Sequence, residues 1–446
     1  MSTERRGDVF RYESYEIDPI AGRVICRYSM TGGPSDGRSF TERVTLGSGK
    51  NWDSPAVRAT ARLIFLLAGV SYYKTAAPPV IDLGQTALTD TERSFLREFY
   101  RQGLGEFGYR NGIDLDDLRI DAPVREATEP ARRELGTRVL VPFGGGIDSI
   151  VTIERVRRHA DAALFVVSRP GDRFEAIERP AAVTGLPVIR AEREIDPQLL
   201  RSAEYGFLNG HVPVTGIISA IAVLAAALDD RQAVVMSNEW SSSVPTLQDE
   251  RGRPVNHQYS KSEEFEEAFR EILDQAGPAV PEYFSMLRSR SELWVAEQFA
   301  KLENYHSTFR SCNRAFHIDT ARRLDYWCGR CDKCCFIDLI LAPFMAASDL
   351  EQVFGGREPL QDVEQAERFR ALLGTSADTK PFECVGEVTE CRAAALLAAS
   401  RPDRVECKLL QELAAEVAAT PGAPAPAEVG ELLRPIGHDW IPASLA

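Results

Sequence analysis

Val139-Leu140-Val141-Pro142-Phe143-Gly144-Gly145-Gly146-Ile147-Asp148-Ser149 decides the fold. The apolar run 139–143 leaves no position for a solvent face, so it reads as a buried strand. Three glycines then let the chain turn tightly into a helix and aim several backbone N–H groups at one point. The positive end of the helix dipole falls at the same place. Such a turn cradles an anion, and Ser149 can add a hydroxyl. Asp148 cannot bind phosphate directly and is expected to hold a magnesium ion that does. No Gly-Lys-Ser/Thr follows, which excludes the nucleoside-triphosphatase P-loop. The glycine spacing also excludes the dinucleotide fingerprint.

Strand and helix patterns alternate on the C-terminal side of this loop. Residues 162–168 read as a strand ending at Ser168, 173–183 as a short helix, and 187–191 as a strand. The apolar stretch 212–228 reads as a buried crossover helix, and 233–237 as a strand. That order predicts an α/β fold with a parallel sheet covered on both faces. On the N-terminal side, residues 8–46 alternate in a β manner and suggest two or three antiparallel strands. Ser54-Pro55 and Thr89-Asp90-Thr91-Glu92 mark helix starts. Beyond residue 345 the sequence turns Ala- and Leu-rich and helical, with Pro421 to Pro426 as a stiff linker before a short tail. The expected layout is an N-terminal α+β domain (1–135), a catalytic domain (136–345) and a C-terminal helical region (346–446).

Composition narrows the function classes. The 446 residues are 44% hydrophobic and 26% charged, as expected of a soluble globular chain with a full core. The formal charge of -14 argues against nucleic acid as a partner. No membrane span is expected, because the run 212–228 contains Pro213, Thr215 and Ser219 and is followed by charged residues. The first residues lack the apolar core of a signal peptide, and nine cysteines are an odd number, so a reducing cytoplasm is expected. Only Lys50, Lys74, Lys261, Lys301, Lys333, Lys380 and Lys408 are lysines among 52 basic residues. A lysine in so Arg-rich a chain hints at a place that needs a compact ammonium.

Polar residues gather where strands of a parallel sheet end, which is where ligands bind. Asn209-Gly210-His211 opens the apolar helix, and Ser237-Asn238-Glu239 follows strand 233–237. The loop Val255-Asn256-His257-Gln258-Tyr259-Ser260-Lys261-Ser262 is dense in hydrogen-bonding groups. His211, Glu239, His257 and Lys261 are therefore the candidate proton-transfer or ligand contacts, with Cys335 as a further candidate base. Cys312, Cys328, Cys331 and Cys334 form a four-thiolate set suited to tetrahedral zinc, with free buried thiols or a redox role as the alternatives.

The glycine loop resembles the Ser-Gly-Gly-X-Asp-Ser loop of the PP-loop ATP pyrophosphatases, with Gly144 in place of Ser. Under that resemblance Gly144, Gly145, Gly146, Asp148, Ser149, Ser168 and Asn238 contact ATP in an adenine nucleotide hydrolase-like, Rossmann-like core. Together with Ala68 to Lys74, Asn209 to Thr215, Ser237 to Glu239, Val255 to Ser262, the cysteine cluster and Lys380 to Glu387, the loop resembles the MurL family. These are ATP-dependent UDP-N-acetylmuramoyl-L-alanyl-L-glutamate epimerases of peptidoglycan synthesis. The resemblance implies that ATP and magnesium activate the terminal glutamate as an acyl-adenylate, with release of AMP and pyrophosphate. Arg251, Arg253, Arg310 and Arg314 are then candidate partners for the substrate's carboxylates and diphosphate. Ile147 departs from the family's usual Lys, and Lys74 or Lys261 is the candidate replacement. Two other readings remain: an adenylating enzyme that forms an amide or nitrile, as 7-cyano-7-deazaguanine synthases do, and a non-enzymatic nucleotide sensor. Homo-oligomer formation is left open.

Overall fold

A computed structural model describes residues 6–127, 136–277, 279–376, 382–383 and 385–445. Lys380, Pro381 and Cys384 of the segment 380–387 lie outside the described residues. The protein is built on a ten-stranded mixed sheet. Its strands are β1 (Val9–Asp18), β2 (Arg23–Thr31), β3 (Ser39–Thr45), β4 (Val80–Asp82), β5 (Arg119–Asp121), β6 (Arg138–Pro142), β7 (Asp161–Ser168), β8 (Val188–Glu194), β9 (Ala233–Met236) and β12 (Glu282–Ser285). The two short strands β10 (Leu247–Gln248) and β11 (Pro254–Val255) form a separate hairpin.

The sheet order is β12-β9-β6-β7-β8-β3-β2-β1-β4-β5. Five strands, β12 to β8, run parallel, as the alternation of apolar strands and helices predicts. Strands β1, β2 and β3 form an antiparallel meander, each antiparallel to its neighbour, and β3 joins the parallel half through an antiparallel pairing with β8. That junction was not foreseen: one sheet runs across residue 135 from the N-terminal strands into the parallel half. A buried ion pair seals it, with Arg193 Nε of β8 2.8 Å from Glu42 Oε1 of β3 and Tyr72 Oη donating to the same carboxylate at 2.9 Å.

Alternation along the strands assigns side chains to two cores. Leu140, Ala163, Phe165, Val234 and Met236 face the first, which is filled by helices Pro55–Ala68 and Val214–Leu228 and the aromatic residues of β1 and β2. Val139, Val141, Leu164, Val166 and Val235 face the second, packed under helices Ile147–Val156, Glu292–Ala300 and Asp332–Leu341 and the C-terminal helices. The predicted caps are present: Ser54 Oγ accepts from Val57 N, and Thr89 with Glu92 forms a capping box. The C-terminal tail lies on the body, with Ile436 N donating to Ser289 O at 2.9 Å. Among the described residues, no helix is long and apolar enough to cross a membrane.

Within the parallel half, the chain runs β6, β7, β8 to one side and then returns to lay β9 and β12 on the other. The connections leaving β6 and β9 therefore diverge and open a crevice beyond their C-terminal ends. The glycine loop and Ser237-Asn238-Glu239 follow those two strands directly.

Candidate active site

The crevice is a cleft of about 390 Å³. Gly144, Gly146, Asp148, Ser149, Ser237, Asn238, Lys261, Arg310 and Lys333 contribute its polar wall. The glycines have distinct jobs. Gly145 has φ +76°, and a Cβ there would stand 2.3 Å from Ala176 O. Only glycine fits that position. A Cβ on Gly144 would meet nothing within 4 Å, so this position faces open space and the absence of Ser there is not forced by packing. Ile147 is 1% exposed and belongs to the second core, so its side chain serves packing. Ser149 Oγ donates back to Gly146 O at 3.1 Å, and Arg310 N donates to Gly145 O at 3.2 Å, which ties the loop to the segment after Phe309.

Several polar atoms around the cleft have no protein partner. Ser168 Oγ, Ser237 Oγ and Asn238 Nδ2 are buried without a hydrogen bond. A buried amide or hydroxyl left so costs about 1–3 kcal/mol unless something else satisfies it. Ser237 and Asn238 line the cleft, so a polar ligand there would satisfy them. Arg310 is 8% exposed and lines the same wall, its acidity increased by burial and by repulsion from Arg179.

Asp148 meets two more carboxylates. Oxygen atoms of Asp148, Glu239 and Glu292 all lie within 4.8 Å of one another. Glu292 is buried, at the first position of a helix capped by Ser291. Burial, and then the charges of Asp148 and Glu239, push its carboxyl well above the usual range, with Lys333 pulling the other way. Three crowded oxygen ligands are the donor set of a hard divalent cation, which would relieve that repulsion. Magnesium, implied by the resemblance, therefore fits these residues. Glu292 and Lys333 were not among the expected site residues.

Arg288 is the hidden organiser. At 1% exposure it pairs with Glu266 at 2.8 Å and donates to Glu239 O at 3.0 Å and Lys261 O at 2.6 Å. It thus ties the Glu239 and Lys261 loops together. Lys261 Nζ reaches Gln258 Oε1 at 3.1 Å and lines the cleft.

Beside Lys261 stands a second group. His257 Nδ1 is 2.5 Å from Glu106 Oε2, and the His211 and His257 rings lie 4.1 Å apart. Burial, followed by the charge of His257, lowers the His211 pKa to about 4, and Lys261 and Lys74 add to the effect. Glu106 is held below the usual carboxylate range despite its burial, because His257 hydrogen-bonds and attracts it. Lys74 Nζ bonds Asn209 Oδ1 at 2.7 Å and Gly210 O at 3.1 Å, and burial lowers its pKa to about 8. Lys74 therefore braces the turn that presents His211. Glu106 escaped sequence reading because Glu106 and Arg110 look like an ordinary i,i+4 surface pair.

The sulfur atoms of Cys312, Cys328, Cys331 and Cys334 converge within 4.8 Å, with Cys331 and Cys334 3.4 Å apart. Four mutually close thiols are the donor set of structural zinc, so that ion fits too. Hydrogen bonds among them drive Cys328 down and Cys334 up in pKa. Cys335 is fully buried and its thiol is pushed up by burial, which suits packing better than proton abstraction. Arg314 is exposed and does not line the cleft. Arg251 and Arg253 lie elsewhere, on a cavity of about 600 Å³ beside the β10–β11 hairpin. Arg253 is 2.6 Å from Asp116 and 2.8 Å from Asp249, and both arginines pair with Asp114.

Comparison with known proteins covers nearly the whole chain. Residues 1–286 match the MurL N-terminal domain and residues 308–428 the MurL C-terminal domain. A protein of Xanthomonas oryzae pv. oryzae (strain MAFF 311018) is 41% identical over 400 residues, 88% of this chain and 86% of its own. One from Salinispora tropica is 41% identical over 86% of this chain and 84% of its own. One from Micromonospora sp. is 37% identical over 99% of this chain and 98% of its own. All three carry the name UDP-N-acetyl-alpha-D-muramoyl-L-alanyl-L-glutamate epimerase. No solved structure is significantly similar. With both halves matched and relatives at this identity over most of its length, the chain belongs to the MurL family.

Proposed function

We propose that this chain inverts the terminal glutamate of UDP-N-acetylmuramoyl-L-alanyl-L-glutamate, as the names of its relatives state for them, and that ATP drives the step through an acyl-adenylate. The chemistry requires activation. A free α-carboxylate makes the neighbouring Cα–H very hard to remove, because the product would be a dianion. Attack of that carboxylate on the α-phosphorus of ATP gives an ester-like acyl group and pyrophosphate. An α-proton can then be taken, an enolate forms, and reprotonation on the other face followed by hydrolysis gives D-glutamate and AMP.

The residues divide this work. Backbone amides of Gly144 to Gly146 and the helix N-terminus hold the leaving diphosphate, with Lys261, Lys333 and Arg310 around it. Asp148, Glu239 and Glu292 would hold magnesium, which supplies Lewis-acid charge neutralisation when bound. Ser237 and Asn238 offer unsatisfied groups to the nucleotide, and Ser168 stands at the end of neighbouring β7. His211 and His257 are the proton-transfer groups, next to Lys261. The four cysteines would hold zinc as a clasp that fixes Arg310 to Lys333 around the cleft. We keep residues 1–135, 136–345 and 346–446 as the proposed domain layout.

The observation that carries the adenylation step is the cleft itself: an unblocked glycine loop at the crevice of a parallel sheet, faced by polar atoms that lack partners. The amide- or nitrile-forming reading and the sensor reading draw no support from the relatives' names. The test is incubation with the UDP-linked dipeptide, ATP and magnesium in heavy water. Expected products are AMP, pyrophosphate and D-glutamate carrying deuterium at Cα. Epimerisation without AMP would remove the adenylate from the mechanism. Nitrogen incorporation would restore the rival.

A further inference from the structure

An epimerase must act on both faces of one carbon, so the placement of its bases is a stereochemical question. His211 and His257 are natural candidates for two opposed bases. Their geometry forbids it. A carbon held between two rings needs about 3.5 Å to each, so about 7 Å between them. The centroids are 4.1 Å apart, with 41° between the planes. Nothing fits between rings in contact.

The pair is also asymmetric. Glu106 Oε2 lies 2.5 Å from Nδ1 of His257, while Arg110 Nε holds the other oxygen of that carboxylate at 2.6 Å. Glu106 cannot swing away without breaking the Arg110 contact, and a carboxylate at that distance demands a proton on Nδ1. The same carboxylate lies within 4.8 Å of His211, but its two oxygens are engaged by His257 and Arg110. His211 sits against a ring that is already a donor, with Lys74 bracing the turn before it. Protonating His211 would place a second cation beside these groups, in agreement with its low pKa of about 4.

We propose that Glu106 is a positioning residue that keeps the proton on Nδ1 of His257, and that His257 and His211 serve a single face of the reacting Cα as one unit. The inference rests on the epimerase reading above. In the step so assigned, an unprotonated nitrogen of His211 forms an N–H bond as the Cα–H bond breaks. The electron pair passes to the acyl oxygen as an enolate. On the other face the enolate re-forms its carbonyl while Cα takes a proton from a group outside the pair. We assign that role to Lys261, which lines the cleft on the loop that also carries His257. Solvent then restores the proton to the lysine and removes it from the imidazole.

This arrangement predicts a one-sided defect. With full-length protein, ATP, magnesium and heavy water, loss of the α-proton is followed separately from the L-glutamate and D-glutamate forms of the dipeptide. Glu106→Gln slows this exchange about a hundredfold from one epimer and much less from the other, while AMP release from both persists. Lys261→Met slows the exchange mainly from the other epimer and also lowers AMP release from both, because Lys261 stands beside the leaving diphosphate. Glu106 acting only through His257 makes the double variant Glu106→Gln/His257→Gln no slower than His257→Gln alone. Equal slowing from both epimers, or additive losses in the double variant, overturns the proposal. Should Glu106→Gln fold poorly, the unaltered protein decides: nitrogen-15 spectra of labelled histidine must show a protonated Nδ1 on His257 at neutral pH, and a bare Nδ1 overturns it. Unaltered protein that releases no AMP and exchanges no proton would instead count against the adenylating epimerase.

Discussion

Two cavities of this protein differ in a way that size does not reveal. The larger one, about 600 Å³ beside the β10–β11 hairpin, is rich in charge, yet Arg251 and Arg253 are matched by Asp114, Asp116 and Asp249. Backbone contact from Asp116 and the two arginines hold the Asp114 carboxyl at about 2. The smaller cleft of about 390 Å³ is the opposite case. Its neutral polar atoms on Ser237 and Asn238 lack partners, and its carboxylates crowd one another. A folded chain tolerates such unmet demand only where something else repeatedly satisfies it. On the proposed function, unmet demand marks the working cavity better than volume does.

The sharpest attack on this contrast is Asp148→Asn. Removing one of three crowded carboxylates relieves repulsion, so the melting temperature should hold or rise. AMP release should fall about 10²- to 10³-fold, because the charge that would neutralise the diphosphate is displaced. Chromatography of AMP and a thermal melt on the same sample check both. Normal AMP release from this variant would move the chemistry out of the cleft.

A second attack uses pH. His211 is depressed from 6.5 to about 4, so between these values the unfolded chain binds the extra proton. Stability from this group is then present above pH 6.5 and is lost as pH falls toward 4. The full linkage is at most about 3 kcal/mol, reduced by the ring's partial exposure. His211→Gln should flatten that part of the stability curve in urea titrations at pH 7 and pH 5. An unchanged slope would mean that the ring is as well solvated in the folded chain as in the unfolded one.

A smaller effect separates two neighbours in the glycine loop. Gly145→Ala forces a Cβ against Ala176 O at positive φ and should cost about 1–3 kcal/mol, with loss of AMP release. Gly144→Ala points into open space and should change stability by less than about 0.5 kcal/mol. Thermal melts of the two variants side by side test this. Equal losses would mean that the loop is held by something other than the Ala176 contact.

How much of this was legible in the sequence depends on the range of the signal. The loop at Gly144 to Ser149, the strands around it and the capped helices at Ser54 and Thr89 are written in consecutive residues, and their elements form where the local pattern places them. The four cysteines could be grouped because three lie within seven positions of each other. Glu106, Glu292, Arg288 and Lys333 could not. Glu106 resembles a solvated helix residue, Glu292 a favourable acid at a helix N-terminus, and Arg288 an unremarkable cation near a strand end. Each gains meaning only when strands far apart in sequence bring it beside His257, Asp148 or Glu239. The antiparallel join of β3 to β8 was hidden for the same reason. No local pattern encodes a pairing between residues 43–45 and 192–194.

The gentlest test returns to the larger cavity. Arg253 makes three ion pairs, but its side chain is 37% exposed and two of its three partners are similarly open. Exposed pairs of this kind contribute about 0–1 kcal/mol each, and they weaken in salt. Arg253→Ala should therefore lower stability by about 1 kcal/mol, and by less at high ionic strength. If the cavity is a matched structural surface, the Michaelis constant for the UDP-linked dipeptide should stay within about threefold. If the diphosphate instead draws Arg253 away from its aspartates, that constant should rise about tenfold or more while the turnover number holds, because one charged contact is lost to bound and reacting substrate alike. Steady-state kinetics of this single variant thus decides whether charge balance in the free protein predicts charge balance in the working one.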